Sequence, residues 1–84
     1  MASISILSGN TNLWIAQAIA RNNNRARVAE SGGFITITAP QLDIERDTVE
    51  QAAGKSISES VWQSFTINVR GNVTEANNTR ILIQ

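Results

Sequence analysis

Residues 25–39, RARVAESGGFITITA, carry the clearest secondary-structure pattern in the chain. Apolar and polar residues alternate on both sides of Gly32-Gly33, which places Ile35 and Ile37 on one face. Alternation with a period of two is typical of a strand with one buried face, and a glycine pair suits a tight turn. The segment therefore predicts a β-hairpin with strands over 25–30 and 34–39.

The residues before this hairpin predict a strand and a helix. Residues 3–8 alternate as a strand does, and residues 11–22 repeat apolar residues at helical spacing. Ile15, Ala16, Ile19 and Ala20 form the apolar stripe of that helix. Three asparagines, 22–24, follow it, and we expect them to end the helix because Asn tolerates the left-handed conformation.

The residues after the hairpin complete the fold. Leu42 and Ile44 predict a short strand, and capping boxes at 47–50 and 56–59 predict two helices, the first ending at Gly54. Residues 66–70 and 79–83 predict closing strands joined by an Asn-rich turn. The predicted order is β-α-β-β-β-α-α-β-β. It indicates an α+β fold over 1–84 as a single domain: a two-layer sandwich of a mainly antiparallel sheet and about three helices.

Composition excludes several classes of chemistry. The chain has 84 residues, a formal net charge of zero, and neither His nor Cys. Ser-His-Asp catalysis, His-ligated metals and cysteine chemistry are therefore excluded. A neutral chain with few aromatic residues is not expected to bind nucleic acid. The N-terminus lacks the pattern of an export signal, and no apolar run approaches the roughly 20 residues of a membrane helix. We expect a cytoplasmic protein that does not bind membranes.

The chain has one acidic cluster and two tryptophans that could belong to a site. Asp43, Glu45, Asp47 and Glu50 could form a carboxylate pair or a hard-cation site, but helix capping and solvent exposure explain them better. We therefore expect no catalytic residue, no metal and no cofactor. Trp14 lies on the polar face of its helix, where it either contacts a partner or covers the sheet edge; both interpretations stay open. Trp62 is expected in the core.

The strand predicted over 66–70 could also belong to a site. If Ile67 and Val69 face inward, Thr66, Asn68 and Arg70 form an exposed polar strip that suits a partner surface, although an ordinary solvated strand has the same pattern.

Residues 42–50, LDIERDTVE, followed by Gly54-Lys55, resemble the small effector components of bacterial multicomponent diiron monooxygenases, most closely the phenol hydroxylase type. That type has Leu-x-Ile-x-Arg-x-Thr-Val-Glu, three residues, then Gly and a basic residue. The same ungapped frame includes Ala18-Ile19, Asn23, Val28, residues 35–39, Gly71-Asn72-Val73, Glu75 and Arg80.

The resemblance implies a regulatory protein that is not an enzyme and has no cofactor. It implies docking on a diiron hydroxylase, control of access to the diiron site, and coupling of electrons from a separate flavin/iron–sulfur reductase to hydroxylation of phenol or a related aromatic hydrocarbon. Thr66, Asn68 and Arg70 align with the family segment that faces the hydroxylase. Gly71 and Asn72, which end that segment, and Trp14 complete the expected hydroxylase-binding set.

Three positions depart from the phenol hydroxylase pattern: Phe65 replaces an acid, Arg70 replaces a frequent Gly, and Ala52-Ala53 replaces a Leu-containing pair. They leave the substrate of the parent enzyme open. The alternative function is a free-standing α+β domain that binds a small ligand or associates with itself, without a hydroxylase partner.

Overall fold

The computed structural model describes all 84 residues and contains seven strands and three helices. In chain order they are β1 (Ala2–Leu7), α1 (Asn10–Arg21), β2 (Arg27–Ser31), β3 (Phe34–Ala39), β4 (Leu42–Glu45), α2 (Arg46–Ala53), α3 (Glu59–Ser64), β5 (Val69–Arg70), β6 (Val73–Ala76) and β7 (Arg80–Ile83). The α+β class and the predicted order are confirmed, with β6 as an additional strand.

The first sheet has four strands in the order β2-β3-β1-β5, and all neighbouring pairs are antiparallel. The predicted hairpin is its β2–β3 pair. Gly32 and Gly33 form the two-residue turn with φ values of 61° and 81°, which a type I′ turn requires at both positions. β1 pairs on its other side with the short strand β5.

The second sheet has the order β4-β7-β6. Its β6–β7 hairpin turns at residues 77–79, and Asn77 Oδ1 accepts hydrogen bonds from the backbone N–H groups of Thr79 and Arg80 at 2.9 Å each. β6 was not predicted from the sequence, because all four of its residues are exposed and its pairing is shifted between Val73 and Glu75. A fully exposed strand with shifted pairing has no alternation of apolar and polar residues from which it could be predicted.

Both sheets and the three helices contribute to one core of 19 buried residues. Alternate residues of β1 and β3, among them Ile4, Ile6, Ile35 and Ile37, face inward and are at most 2% exposed. α1 covers this inner face with Ile15, Ala16 and Ile19, as predicted; Ala18 is buried in place of the predicted Ala20. The core holds no polar or charged residue, so the chemistry of the molecule lies on its surface.

The predicted capping boxes are wrong in detail. α2 begins at Arg46, not after Asp47, because the backbone N–H of Arg46 is already bonded to the Thr79 carbonyl at 2.9 Å. Glu50 does not bond to a backbone N–H at the helix start; its Oε2 accepts the N–H of Ile57 at 2.7 Å. The cap of α3 is Ser58 rather than Ser56, and its hydroxyl accepts the N–H of Val61.

The C-terminal ends of α1 and α2 lie close to where the sequence predicts them. Gly54 ends α2 with a φ of 68°, as predicted. The asparagines end α1, but none of them is left-handed: Asn22 and Asn23 continue the helical turn through N–H bonds to Ile19 and Ala20. The chain reverses only at Arg25, with a φ of 60°.

None of the helices combines the length and the apolar character needed to cross a bilayer.

Candidate docking surface

The outer face of the four-stranded sheet carries hydroxyl groups because the residues between its buried isoleucines are Ser and Thr. Ser3 lies opposite Thr38, and Ser5 lies opposite Thr36, in the β1–β3 register. The Ser5 and Thr36 hydroxyls are 3.0 Å apart and share a hydrogen bond. No helix covers this face, since α1 packs on the other side of the sheet against β2 and β3.

A groove of about 820 Å³ runs over this face, and we refer to it as the sheet groove. Its polar lining consists of Ser3, Ser5, Thr36, Thr38, Asn68 and Arg70. Its apolar lining consists of Met1, Phe34, Ile67 and Val69. No carboxylate lines it. The groove therefore combines apolar contact area, neutral hydrogen-bonding groups and a positive charge.

The structure places Asn68 and Arg70 of the predicted polar strip in this groove, but it corrects the rest of that prediction. Only Val69–Arg70 is a strand. Residues 65–68 continue from α3 as a turn, because the N–H groups of Thr66 and Ile67 bond to the Gln63 and Ser64 carbonyls. Ile67 consequently points outward and is 72% exposed, where the sequence analysis placed it in the core.

Thr66 is separated from the other predicted residues by the same turn. Its hydroxyl donates to the Gln63 carbonyl at 3.1 Å, and it does not line the groove. Asn68, by contrast, accepts the N–H of Ser5 at 3.0 Å through its backbone carbonyl, which leaves its side chain exposed. Arg70 is exposed and belongs to none of the three ion pairs. Asn68 and Arg70 are thus free to contact a partner.

Gly71 and Asn72 occupy the point where the chain passes from the first sheet to the second. The backbone of Asn72 exchanges two hydrogen bonds with Gln84, at 2.7 and 2.8 Å. Gly71 has a φ of 110°, and a Cβ there would lie 2.8 Å from the Gln84 carbonyl oxygen. Gly71 therefore has a structural role, whereas the exposed side chain of Asn72 stays available.

Trp14 lies away from these residues. It projects from α1, on the helix side of the four-stranded sheet, and does not line the groove. It is 54% exposed, so it is not a core residue. Trp62 is a core residue, as predicted, at 3% exposure, and its Nε1 donates to the Asn77 carbonyl at 2.8 Å.

Two acidic residues of the 43–50 segment, Asp43 and Glu50, have separate partners. Asp43 pairs with Arg80 through two hydrogen bonds, of 2.9 and 2.7 Å. Asp43 raises the pKa of the Arg80 guanidinium above its ordinary value, first as a hydrogen-bond acceptor and then through its charge. Glu50 is engaged by the N–H of Ile57 and by Arg46 at 3.7 Å. No three acids are grouped so that they could hold a metal ion.

The hydroxyl residues of the groove were not predicted as part of a site. The pattern was present, since Ser3-Ile4-Ser5-Ile6 and Ile35-Thr36-Ile37-Thr38 place every hydroxyl on the face opposite the isoleucines. The pattern does not show that this sheet face is uncovered, because that depends on which face of the sheet α1 packs against.

This arrangement defines a small α+β docking module: its core is wholly apolar, it has no grouped acids that could hold a metal ion, and one sheet face is open. A family model matches residues 4–84, and the chain belongs to the MmoB/DmpM family. That match confirms the family resemblance found in the sequence.

Two solved structures of a phenol hydroxylase–regulatory protein complex contain chains of the same fold. The first superposes with a TM-score of 0.72 at 24% identity and covers 99% of this chain and 95% of that chain. The second gives a TM-score of 0.68 at 24% identity and covers 99% and 96%. No curated protein sequence gives a significant match.

Proposed function

We propose that this chain is the regulatory component of a cytoplasmic multicomponent diiron monooxygenase that hydroxylates phenol or a related aromatic hydrocarbon. The chain docks on the hydroxylase, controls access to its diiron site and couples electron delivery from the reductase to hydroxylation. The observation that carries this proposal is the family match over residues 4–84. The phenol hydroxylase–regulatory protein complexes, which contain the same fold, support the choice of a hydroxylase as partner.

The surface chemistry supports a regulatory rather than a catalytic role. The acids that could act as a pair are engaged elsewhere: Asp43 with Arg80, and Glu50 with the N–H of Ile57. Lys55 is exposed and belongs to none of the three ion pairs. The side chains that remain free, such as Asn68 and Arg70, are suited to recognition.

Docking is assigned to Asn68, Arg70, Asn72 and Trp14, with Thr66 at the margin. Arg presents five donors in a planar fork, and Asn presents both a donor and an acceptor. Each can pair with carboxylates or with helix-end carbonyls of the hydroxylase. Because Arg70 forms no ion pair within the chain, it is free to form one across the interface.

The test is a reconstituted assay with the hydroxylase and reductase of the source organism. Addition of this chain should raise the hydroxylation rate and the fraction of reducing equivalents recovered in product. Arg70→Glu should change the free energy of unfolding by no more than about 0.5 kcal/mol. It should weaken docking by about 2–5 kcal/mol, which excess protein partly overcomes. Asn68→Ala should act in the same direction, more weakly.

Lys55→Glu is the matched control, since it makes the same charge change at an exposed residue that lies outside the groove and outside all three ion pairs. It should leave turnover unchanged. Full coupled turnover with both Arg70→Glu and Asn68→Ala at sub-saturating concentration would show that docking uses another surface. A hydroxylase indifferent to the unmodified chain would refute the function itself.

A further inference from the structure

A concave pocket lies where the end of α1 meets the second sheet. It has a volume of about 720 Å³, and we refer to it as the arginine pocket because Arg21, Arg25 and Arg80 line it. Arg21 ends α1, Arg25 lies in the loop that follows, and Arg80 begins β7. The fold therefore gathers three of the six arginines of a chain with zero net charge around one concavity.

The lining of the pocket excludes an apolar ligand and a cation. Eight of its ten residues are polar or charged, and only Pro40 and Leu82 are not. Asp43 is the single carboxylate, and each of its two oxygens already accepts a hydrogen bond from Arg80, at 2.9 and 2.7 Å. A cation would find no free carboxylate there. Three guanidinium groups against one carboxylate leave an excess of positive charge, which favours an anion.

The donors that an anion needs are available in the pocket. Arg21 and Arg25 belong to none of the three ion pairs. Arg80 uses Nε and Nη2 for Asp43, so its Nη1 is free to donate to a ligand. A guanidinium presents its N–H groups in a planar fork that matches the oxygens of carboxylate and phosphate groups. The exposed amide side chains at positions 22, 24 and 41 add neutral donors.

Two sets of hydrogen bonds fix the spacing of the charges across the pocket. Asn23 bonds to the Ile19 carbonyl and to both backbone groups of Asp43, which joins the end of α1 to β4. The bonds between Asp43 and Arg80 join β4 to the guanidinium on β7. A ligand therefore does not have to bring the helix and the sheet together. A site that is formed before binding loses less affinity to ordering.

We propose that the arginine pocket binds a small polyvalent oxyanion, a compound that bears two or more phosphate or carboxylate groups. Its volume lies within the roughly 300–1,000 Å³ of small-molecule sites. No aromatic residue lines it, so the bases of a nucleic acid would find no stacking surface. The arginine pocket shares no lining residue with the sheet groove. It belongs to the chain alone and does not depend on the proposed function.

Titration of the isolated chain with pyrophosphate and with citrate tests the site. Both anions are polyvalent near neutral pH, and their comparison distinguishes phosphate from carboxylate recognition. In NMR spectra the backbone amide signals of residues 21–25, 41–43 and 80–82 should shift and saturate with at least one of them, while those of residues 3–5 and 67–70 in the sheet groove should not. Acetate, with a single carboxylate, should bind at least about tenfold more weakly at equal ionic strength.

Arg25→Asn and Arg27→Asn form a matched pair of variants. Arg25 has a φ of 60°, a conformation that Asn tolerates, so the first variant should fold. Arg27 is likewise exposed and belongs to no ion pair, but it lies outside the pocket. Arg25→Asn should raise the dissociation constant about three- to tenfold, and Arg27→Asn less than about twofold. Arg21→Gln should act as Arg25→Asn does.

Three results would overturn the proposal. The first is the absence of saturable shifts with either anion. The second is equal weakening by Arg25→Asn and Arg27→Asn, which would mean diffuse attraction to positive charge. The third is binding of a glutamate-rich peptide without binding of pyrophosphate or citrate, which would mean a surface for an acidic protein. Circular dichroism shows whether each variant is folded, and Arg21→Gln supplies the same comparison if Arg25→Asn is not. Stimulation of a hydroxylase is no readout here, so this site and the proposed function fail separately.

Discussion

At the scale of single residues, neighbours in sequence have different roles in the junction between the sheets. Arg70 directs an unpaired side chain into the groove, whereas Gly71 faces the backbone of Ala2 and Gln84. Gly71 is exposed to solvent, yet the space that a Cβ would occupy is already filled by neighbouring atoms. Solvent exposure alone therefore does not show that a larger residue fits at this position. Sequence alone assigned both residues to the partner.

Gly71→Ala should destabilise the fold. The new Cβ would lie 2.8 Å from the Gln84 carbonyl oxygen and 3.3 Å from Cα of Ala2, and φ is 110°. Backbone strain of this kind costs on the order of 1–3 kcal/mol, and each kcal/mol lowers the melting temperature of a domain this size by roughly 4–8 °C. Thermal unfolding followed by circular dichroism measures the change.

Gly9→Ala is the matched control for this substitution. Gly9 precedes α1 in an extended conformation, and a Cβ there meets nothing within 4 Å. Its cost should stay below about 1 kcal/mol, the usual difference between Gly and Ala at a helix start. Equal melting temperatures for the two variants would mean that the close approach at Gly71 relaxes at no cost.

At the scale of elements, one side chain joins the end of α1 to the edge strand of the second sheet. Asn23 Nδ2 donates to the Ile19 carbonyl at 2.8 Å and to the Asp43 carbonyl at 3.1 Å. Its Oδ1 accepts the N–H of Asp43 at 2.8 Å. The amide therefore takes the place of a neighbouring strand at the free edge of β4.

Asn23→Ala should lower the free energy of unfolding by about 1–3 kcal/mol, since it leaves the partly buried N–H of Asp43 without its partner. Urea unfolding gives the value through the transition midpoint. Asn24→Ala, at the next asparagine, which is exposed, should change it by no more than about 0.5 kcal/mol. If the two variants unfold at the same urea concentration, the bonds of Asn23 to β4 contribute nothing to stability.

Elements with a strong local pattern were predictable from sequence, and elements that depend on tertiary partners were not. The alternation around Gly32-Gly33 and the stripe of α1 gave their elements within one or two residues. The segment Phe65–Val69 did not, because its apolar and polar residues alternate as in a strand, although residues 65–67 form a turn after α3. Ile67 was misplaced for this reason.

The helix starts show the same limit. The pattern Asp47–Glu50 matches a capping box, yet the carbonyl of Thr79, distant in sequence, satisfies the start of α2 instead. For the candidate site, sequence gave Asn68 and Arg70, but the serines and threonines beside them became a surface only when the position of α1 was known.

At the scale of the whole molecule, the predicted docking residues lie on two sides of a domain measuring 27 × 27 × 22 Å. Asn68 and Arg70 line the groove on the outer sheet face, whereas Trp14 projects from α1 on the opposite side of that sheet. A hydroxylase surface that contacts both sides must enclose the module in a cleft.

The environment of Trp14 tests this geometry. Of the two tryptophans, Trp14 is 54% exposed and Trp62 is 3% exposed, so a small quencher such as acrylamide reaches only the first in the free protein. Incorporation of 5-hydroxytryptophan allows both to be excited without exciting the tryptophans of the hydroxylase. We expect saturating hydroxylase to protect Trp14 from quenching, because burial in a cleft removes it from solvent.

Trp14→Phe supplies the control, since the remaining Trp62 emission should resist acrylamide with and without the hydroxylase. Replacing Trp62 instead would remove a core side chain and its hydrogen bond to Asn77, and would confuse folding with docking. Quenching of Trp14 that stays unchanged while the hydroxylase is saturated, as judged by stimulated turnover, would exclude the cleft. Docking would then leave Trp14 exposed, and Trp14 would not belong to the docking surface.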